Sequence, residues 1–422
     1  MPSVFEALGF TKSPFFREAL EPTARDYQIF IGRVSDVKKF VISINSDHGV
    51  HLVTGKRGVG KTSFVNAMQY VTSLEDPSSY FKRYSISFYP ERMLPCYRKV
   101  QIDENDTVDR VLLRVISSII FSVEQFVKEN NITAFSYDLT EFENLKKQFQ
   151  QIINTSLSAA EHILDANSKL ELLTKIISAA RKGLNRKGIY ISIDNLDIID
   201  LGFATRLLNE LRDYLFIEGL CIVMLGPEGM YADLRSTEDG LRIIDRITGQ
   251  ETALSALSED EAVQILDIRR RVLATDKQKI PELPLEIEYI RKLYNLCSGQ
   301  MRLLFKIAET ITLQVLSQYP SVKVVKSSDA EPLLKTIVEN ETRFSSYSKK
   351  HLEILRQCLK SPMRQRDYKE LKLDSGMHFV RLANKLVQDD LLSKSSKGNA
   401  VYYEPTGLLI LSKHVGLIED EK

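Results

Sequence analysis

The sequence predicts an α/β fold: a mainly parallel sheet with helices on both faces, then an all-α unit, then a small mixed unit. Three observations carry this. Apolar stretches alternate with helix-like segments between about residues 50 and 254, the pattern of parallel strands joined by crossover helices. A glycine-rich loop, Gly55-Lys56-Arg57-Gly58-Val59-Gly60-Lys61-Thr62, lies between one such strand and one such helix. From Ser258 the pattern turns helical, and β-like stretches return only at Leu391–Ser393 and Ala400–Tyr403.

In chain order, residues 1–30 read as an arm, because Ser13-Pro14-Phe15-Phe16 and Glu21-Pro22 break regular structure. Ile31-Gly32-Arg33 opens a helix through about Asn45, with Ser35 as its candidate N-cap. Val50–Thr54 is apolar and β-prone, and Ser63–Val71 reads as a helix. Tyr80–Tyr89 and Arg98–Ile102 read as strands. Asp106-Thr107 starts a helix with Val108, Leu112, Val115 and Ile119 apolar. Residues from about 135 to 186 read as a polar helical elaboration. Gly188–Asp194 is a second buried strand, ending in a carboxylate, and Leu220–Leu225 is a third. Leu241–Ile247 leads as a helix into a short strand around Glu251–Leu254. Helices then follow at Glu259–Leu273, Leu285–Cys297, Gln300–Gln318 and Glu331–Glu341. The expected organisation is an arm (1–30), an α/β domain (31–257), a helical domain (258–345) and a C-terminal domain (346–422).

Composition narrows the classes. The 422 residues exceed one ordinary domain. No apolar run reaches the ~20 residues that span a bilayer, and the N-terminus has no basic start or apolar core of a leader peptide. A cytoplasmic or nucleoid-associated location is expected. The four cysteines are far apart and form no C-x-x-C pair, which argues against a disulfide framework or a zinc site. Net charge is +1, so any nucleic-acid surface must be local.

The glycine-rich loop reads G-x-x-x-x-G-K-T, the phosphate-binding P-loop. Its glycines let backbone N–H groups face an anion, and the next helix adds its positive end. Gly55, Lys56, Arg57, Gly58, Val59, Gly60, Lys61, Thr62 and Ser63 form the candidate nucleotide cradle. Lys61 suits the β- and γ-phosphates, and the Thr62 hydroxyl suits Mg²⁺. ATP and Mg²⁺ are the implied cofactors. Asp194, ending a buried strand, takes the Walker B place and is the second metal candidate. The next residue is Asn195, where many such ATPases carry a glutamate that activates water. An amide orients water but cannot take its proton. Asp197 is the candidate substitute, as a base or as a partner of metal-bound water. ATP binding is therefore expected, with slow hydrolysis.

The chain resembles the AAA+ superfamily over about residues 25–320, in particular the branch of origin-recognition and replication-licensing ATPases. It is also similar to transposition and secretion ATPases and to STAND-type switch ATPases. Ile31-Gly32-Arg33 resembles the "IGR" signature ahead of the P-loop in this group. Asp245-Arg246 resembles the family's arginine-finger position. Leu254–Leu257 with Glu259–Arg271 resembles the start of its helical lid. Ser298-Gly299-Gln300-Met301-Arg302 matches the G-x-x-R of sensor 2. The resemblance implies that Arg302 reaches the γ-phosphate from the lid. It also implies that Arg246 is offered to a neighbouring subunit, making assembly a nucleotide-dependent homo-oligomer. At the sensor 1 position the chain departs from the replication ATPases, with Gly226-Pro227-Glu228 in place of Asn, Ser or Thr.

In the C-terminal domain, Lys349–Leu359 and Met363–Leu371 read as helices, and a third starts at Asp374-Ser375-Gly376. A hairpin follows, with Lys394–Asn399 as its tip. Three helices and a hairpin are the layout of a winged helix, which the replication-type ATPases carry in the same place. For DNA, the third helix would present His378, Arg381, Asn384, Lys385 and Gln388. Arg364, Arg366, Lys369 and Lys372 add charge nearby, and Lys394 and Lys397 arm the wing. Winged helices also serve as protein-interaction modules. Two functions follow: an ATP-controlled DNA-binding switch, or a signalling or defence-type switch whose winged helix acts on an effector protein.

Overall fold

A computed structural model describes residues 3–44, 49–82, 84–130, 138–153, 166–196, 201–245, 247, 251–342, 344–397 and 400–419. Residues 34–254 form a parallel α/β layer. Helix α1 (Val34–Ser43) precedes strand β1 (Gly49–Gly55), the P-loop, and helix α2 (Lys61–Ser73). Two short strands, β2 (Met93–Leu94) and β3 (Val100–Gln101), lead to the long helix α3 (Val108–Glu129), capped by Thr107. Helices α4 (Thr140–Ile153) and α5 (Ala166–Gly183) fall in the expected helical stretch and pack on each other. Strand β4 (Gly188–Asp194), α6 (Leu201–Leu215), β5 (Leu220–Gly226), α7 (Met230–Arg235), α8 (Glu238–Ile244) and β6 (Thr252–Leu254) complete the layer.

Among the described residues the pairings of this layer are parallel, in the order β2–β4–β5–β1–β6, with β3 also on β4. Every residue of β1 and β5 is buried, so the sheet is covered on both faces. The P-loop strand therefore sits between β5 and β6. Its C-terminal edge lines up with that of β4, where Asp194 stands.

A helical lid follows: α9 (Glu259–Val272), α10 (Ile287–Leu296), α11 (Met301–Gln318) and α12 (Ser327–Thr342). Ser258 and Glu261 form a capping box on α9. The C-terminal domain comprises α13 (Lys349–Lys360), β7 (Met363–Arg364), α14 (Gly376–Gln388), β8 (Leu392–Lys397), β9 (Ala400–Pro405) and α15 (Gly407–His414). Its antiparallel sheet runs β7–β9–β8. This is the three-part fold expected: parallel α/β layer, helical lid and winged helix. Among the described residues no helix is long and apolar enough to cross a membrane.

Four local expectations are corrected. The first part of Tyr80–Tyr89 is helical, with Ser78–Lys82 forming a short turn of helix, and no strand follows before β2. Phe81 is buried and stacks on Tyr89, while Phe88 is exposed, so the alternation has no buried face behind it. Ser35 does not cap α1; Arg33, at φ 56°, takes that place with no side-chain cap. Met363–Leu371 is not an α-helix. It is strand β7, paired with β9, followed by a 3-10 turn at Gln365–Lys369. Finally, α15 was not anticipated. It packs its buried Leu408, Leu409 and Leu411 toward lid helices α10 and α12 and toward α13.

The arm is docked. Phe10 and Phe15 are fully buried, Thr11 N–H donates to Leu273 O at 2.7 Å, and Thr275 N–H donates to Gly9 O at 2.9 Å. Arg269 of α9 donates to the carbonyls of Pro14 and Phe16 and lies between the Phe16 and Phe305 rings. Leu20 bonds the P-loop helix through Ser63 and Asn66. The arm thus ties lid to P-loop.

Candidate nucleotide cleft

The P-loop has the backbone its glycines permit. Gly60 sits at φ 98°, and a Cβ there would meet nothing within 4 Å, so the loop surrounds open space. Gly55, at φ 150°, has Leu254 O only 2.7 Å from where a Cβ would stand. The Lys61 ammonium is folded into the loop, donating to Gly55 O at 2.8 Å. Thr62 Oγ1 lies 3.4 Å from Asp194 Oδ2. A hydroxyl and a carboxylate, both hard oxygen donors, fit Mg²⁺, which takes its remaining ligands from water and phosphate. The open cradle and this donor pair together fit a magnesium-bound nucleotide. Ser63 turns its hydroxyl to the arm, accepting Leu20 N–H at 3.1 Å.

Asp194 is held at both oxygens. Oδ1 accepts the backbone N–H of Asn195 at 2.9 Å, and Oδ2 accepts Lys99 Nζ at 3.0 Å. Asn195 adopts φ 72°. Asparagine tolerates this left-handed conformation far better than glutamate. The asparagine thus suits the turn that follows β4.

Two residues gain roles that the sequence left unclear. Arg33 is buried and donates to Asp36 at 3.1 Å, to Ser255 O at 3.1 Å and to Val59 O at 2.7 Å. It clips the P-loop to the start of the lid. The "IGR" resemblance marked the residue, but only the fold reveals what it touches. Lys99 carried no sequence signal; it reaches Asp194 because β3 pairs with the end of β4.

The second wall of the cleft comes from the lid, the arm and the winged helix. A cavity of about 990 Å³ is lined by Arg57 and Gly58 of the P-loop, Arg17 of the arm, Arg302 and Lys306 of α11, and Asp390 just past α14. A Cβ on Gly58 would lie 3.7 Å from Arg302 Cβ, so the predicted sensor does face the P-loop. Asp390 pairs with Arg57 at 3.5 Å, and Glu404 of β9 lies 3.9 Å from Lys56. Partial burial raises the Asp390 carboxyl from its ordinary value, against the pull of Arg57, Arg302 and Lys306, with about half of the side chain still exposed.

The predicted DNA face is divided. His378 is half-buried, 3.3 Å from Asp374, and Arg381 and Lys394 are exposed. Asn384 accepts the Tyr403 hydroxyl at 3.1 Å. Lys385 and Gln388 line the cleft instead. Asp197 and Arg246 lie outside the described residues, as does the side chain of Lys397.

Fold and site together define a P-loop α/β domain with a helical lid and a C-terminal winged helix. In comparisons of structure, the chain is similar to the ORC2 protein of Aeropyrum pernix, solved as ADPNP-ADP complexes, at 12% identity and a TM-score of 0.45. That alignment covers 95% of this chain and 96% of the other. It is also similar to Cdc6p of Pyrobaculum aerophilum, at 12% identity and a TM-score of 0.36, over 96% and 98% of the two chains. No protein-family model matches the chain, and no curated protein does.

Proposed function

We propose that this protein is an ATP-binding switch whose nucleotide state sets how its winged helix sits over the cleft, and thereby its DNA binding. The observation that carries the reading is the seating of the α14 end against the P-loop. Asp390 stands among Arg57, Arg302 and Lys306, cations that suit nucleotide phosphates. Phosphate and Asp390 compete for the same charges, so binding shifts the winged helix by its differential affinity for the two arrangements. Hydrolysis is slow, because Asn195 cannot act as a base. Self-assembly through Arg246 belongs to the same reading.

The docked contacts of Asp390 and Glu404 also favour a second reading. In it the winged helix restrains the cleft, and an effector protein receives the output. One experiment separates the two. DNA binding of wild type and of Arg381→Ala/Lys394→Ala, both exposed cations of the expected DNA face, is measured with and without ATP across a salt series. The DNA reading expects ATP-dependent binding that the double variant weakens roughly tenfold with a shallower salt slope. Equal binding by both proteins, or none by either, overturns it.

A further inference from the structure

Lys99 is delivered to Asp194 by an irregular edge strand. β2 pairs Met93 with Gly188, and β3 pairs Val100 with Ile193. Between these points seven steps of the edge strand run against five of β4, so two extra residues loop out. Bulges of this kind re-aim side chains beside functional sites. This one is firmly held. Cys96 N–H donates to Gln69 Oε1 of the P-loop helix at 3.0 Å, and Tyr97 N–H donates to Ser122 Oγ at 3.0 Å. The Ser118 hydroxyl donates to Arg98 O. A lysine leaving such a frame has little freedom beyond its own side chain.

That side chain places an ammonium on Asp194 Oδ2, the oxygen nearest Thr62. Its partner, Asp194, is mostly buried, with 18% of its side chain exposed. A buried carboxylate without a cation is costly. A divalent cation between Thr62 and Asp194 needs the same oxygen.

We propose that Lys99 is a positioning residue that holds the metal-side oxygen of Asp194 in the metal-free protein and is displaced from it when a divalent cation binds. The proposal rests on the nucleotide reading above. It gives the cleft a charge balance without metal and makes metal affinity a competition with a residue of the chain. Lys99 thereby tunes the metal concentration at which the site fills.

The test titrates Mn²⁺, as a paramagnetic stand-in for Mg²⁺, into protein loaded with ATP under chelation, and reads bound metal by electron paramagnetic resonance. Lys99→Met is expected to bind Mn²⁺ about tenfold more tightly, since a competing cation is gone. Lys99→Arg retains the charge and should stay near wild type. If Lys99→Met fails to fold, Lys99→Gln gives the same comparison. An unchanged or weaker Mn²⁺ midpoint in the neutral variant overturns the proposal. Wild-type protein that binds no ATP under chelation or with metal overturns the nucleotide reading itself, and Lys99 with it.

Discussion

The two ends of the cleft hold their charges differently. At the metal end, Asp194 ends β4 and Lys99 stands just before β3, and the two meet at 3.0 Å beside the sheet, where the β3–β4 register brings them together. At the winged-helix end, Arg57 and Asp390 meet at 3.5 Å with about half of each side chain exposed. Lys56 and Glu404 are farther apart, at 3.9 Å. An exposed pair such as Arg57–Asp390 contributes roughly 0–1 kcal/mol. The first end is a fixed frame, and the second is a contact that modest competition can undo. A switch needs both: a rigid place to sense the ligand and a loose place to respond.

The largest expected effect breaks the rigid end. Lys61→Ala removes the ammonium that the cradle is built around, and ATP affinity should fall roughly a hundredfold, as for a lost charge-assisted contact of ~3 kcal/mol. Equilibrium binding of a fluorescent ATP analogue measures it. A melting curve run alongside checks that the fold survives loss of the Lys61 bonds to Gly55 O and Lys56 O.

A comparable effect separates frame from ligand. Arg33→Ala leaves Asp36 without its cation and Val59 O and Ser255 O without their donor. It should destabilise the protein by roughly 3 kcal/mol in denaturant unfolding. Unchanged stability would mean that the P-loop does not depend on this clip.

The smallest effect on stability is expected at the loose end. Asp390→Ala with Glu404→Ala should lower unfolding free energy by roughly 1–2 kcal/mol, mostly because buried Ser395 loses Glu404 as its acceptor at 2.8 Å. The same variant should bind ATP several-fold more tightly, because two carboxylates no longer compete for Lys56, Arg57 and Arg302. If ATP affinity is unchanged, the winged helix is not coupled to the cleft.

Most of the fold was legible in the sequence, because buried strands and capped helices leave local signals. Gly188–Asp194 ends in a carboxylate after an apolar run, and Ser258 and Glu261 mark the start of α9. The P-loop was legible for the same reason: its glycines, Lys61 and Thr62 are contiguous. What was missed depends on distant parts of the chain. Tyr80–Tyr89 alternates like a strand, but the sheet edge is taken by β2 and β3. Helix α15 follows a hairpin that reads as the end of a winged helix, and its reason to form is the lid it packs on. The cleft was half legible. Arg302 carries a motif, while Lys99 and Asp390 matter only through strand register and domain docking, which no spacing encodes.

The most direct test of the account is the distance between the α/β layer and the winged helix, measured by pulsed dipolar spectroscopy with one spin label on each. Exposed Ile42 and Val401 offer suitable positions. The metal-free, nucleotide-free protein should give one narrow distribution, and saturating Mg-ATP should shift or broaden it. Asp390→Ala with Glu404→Ala should shift the distribution the same way without nucleotide. A distribution that neither ATP nor the double variant alters would contradict a nucleotide-controlled winged helix.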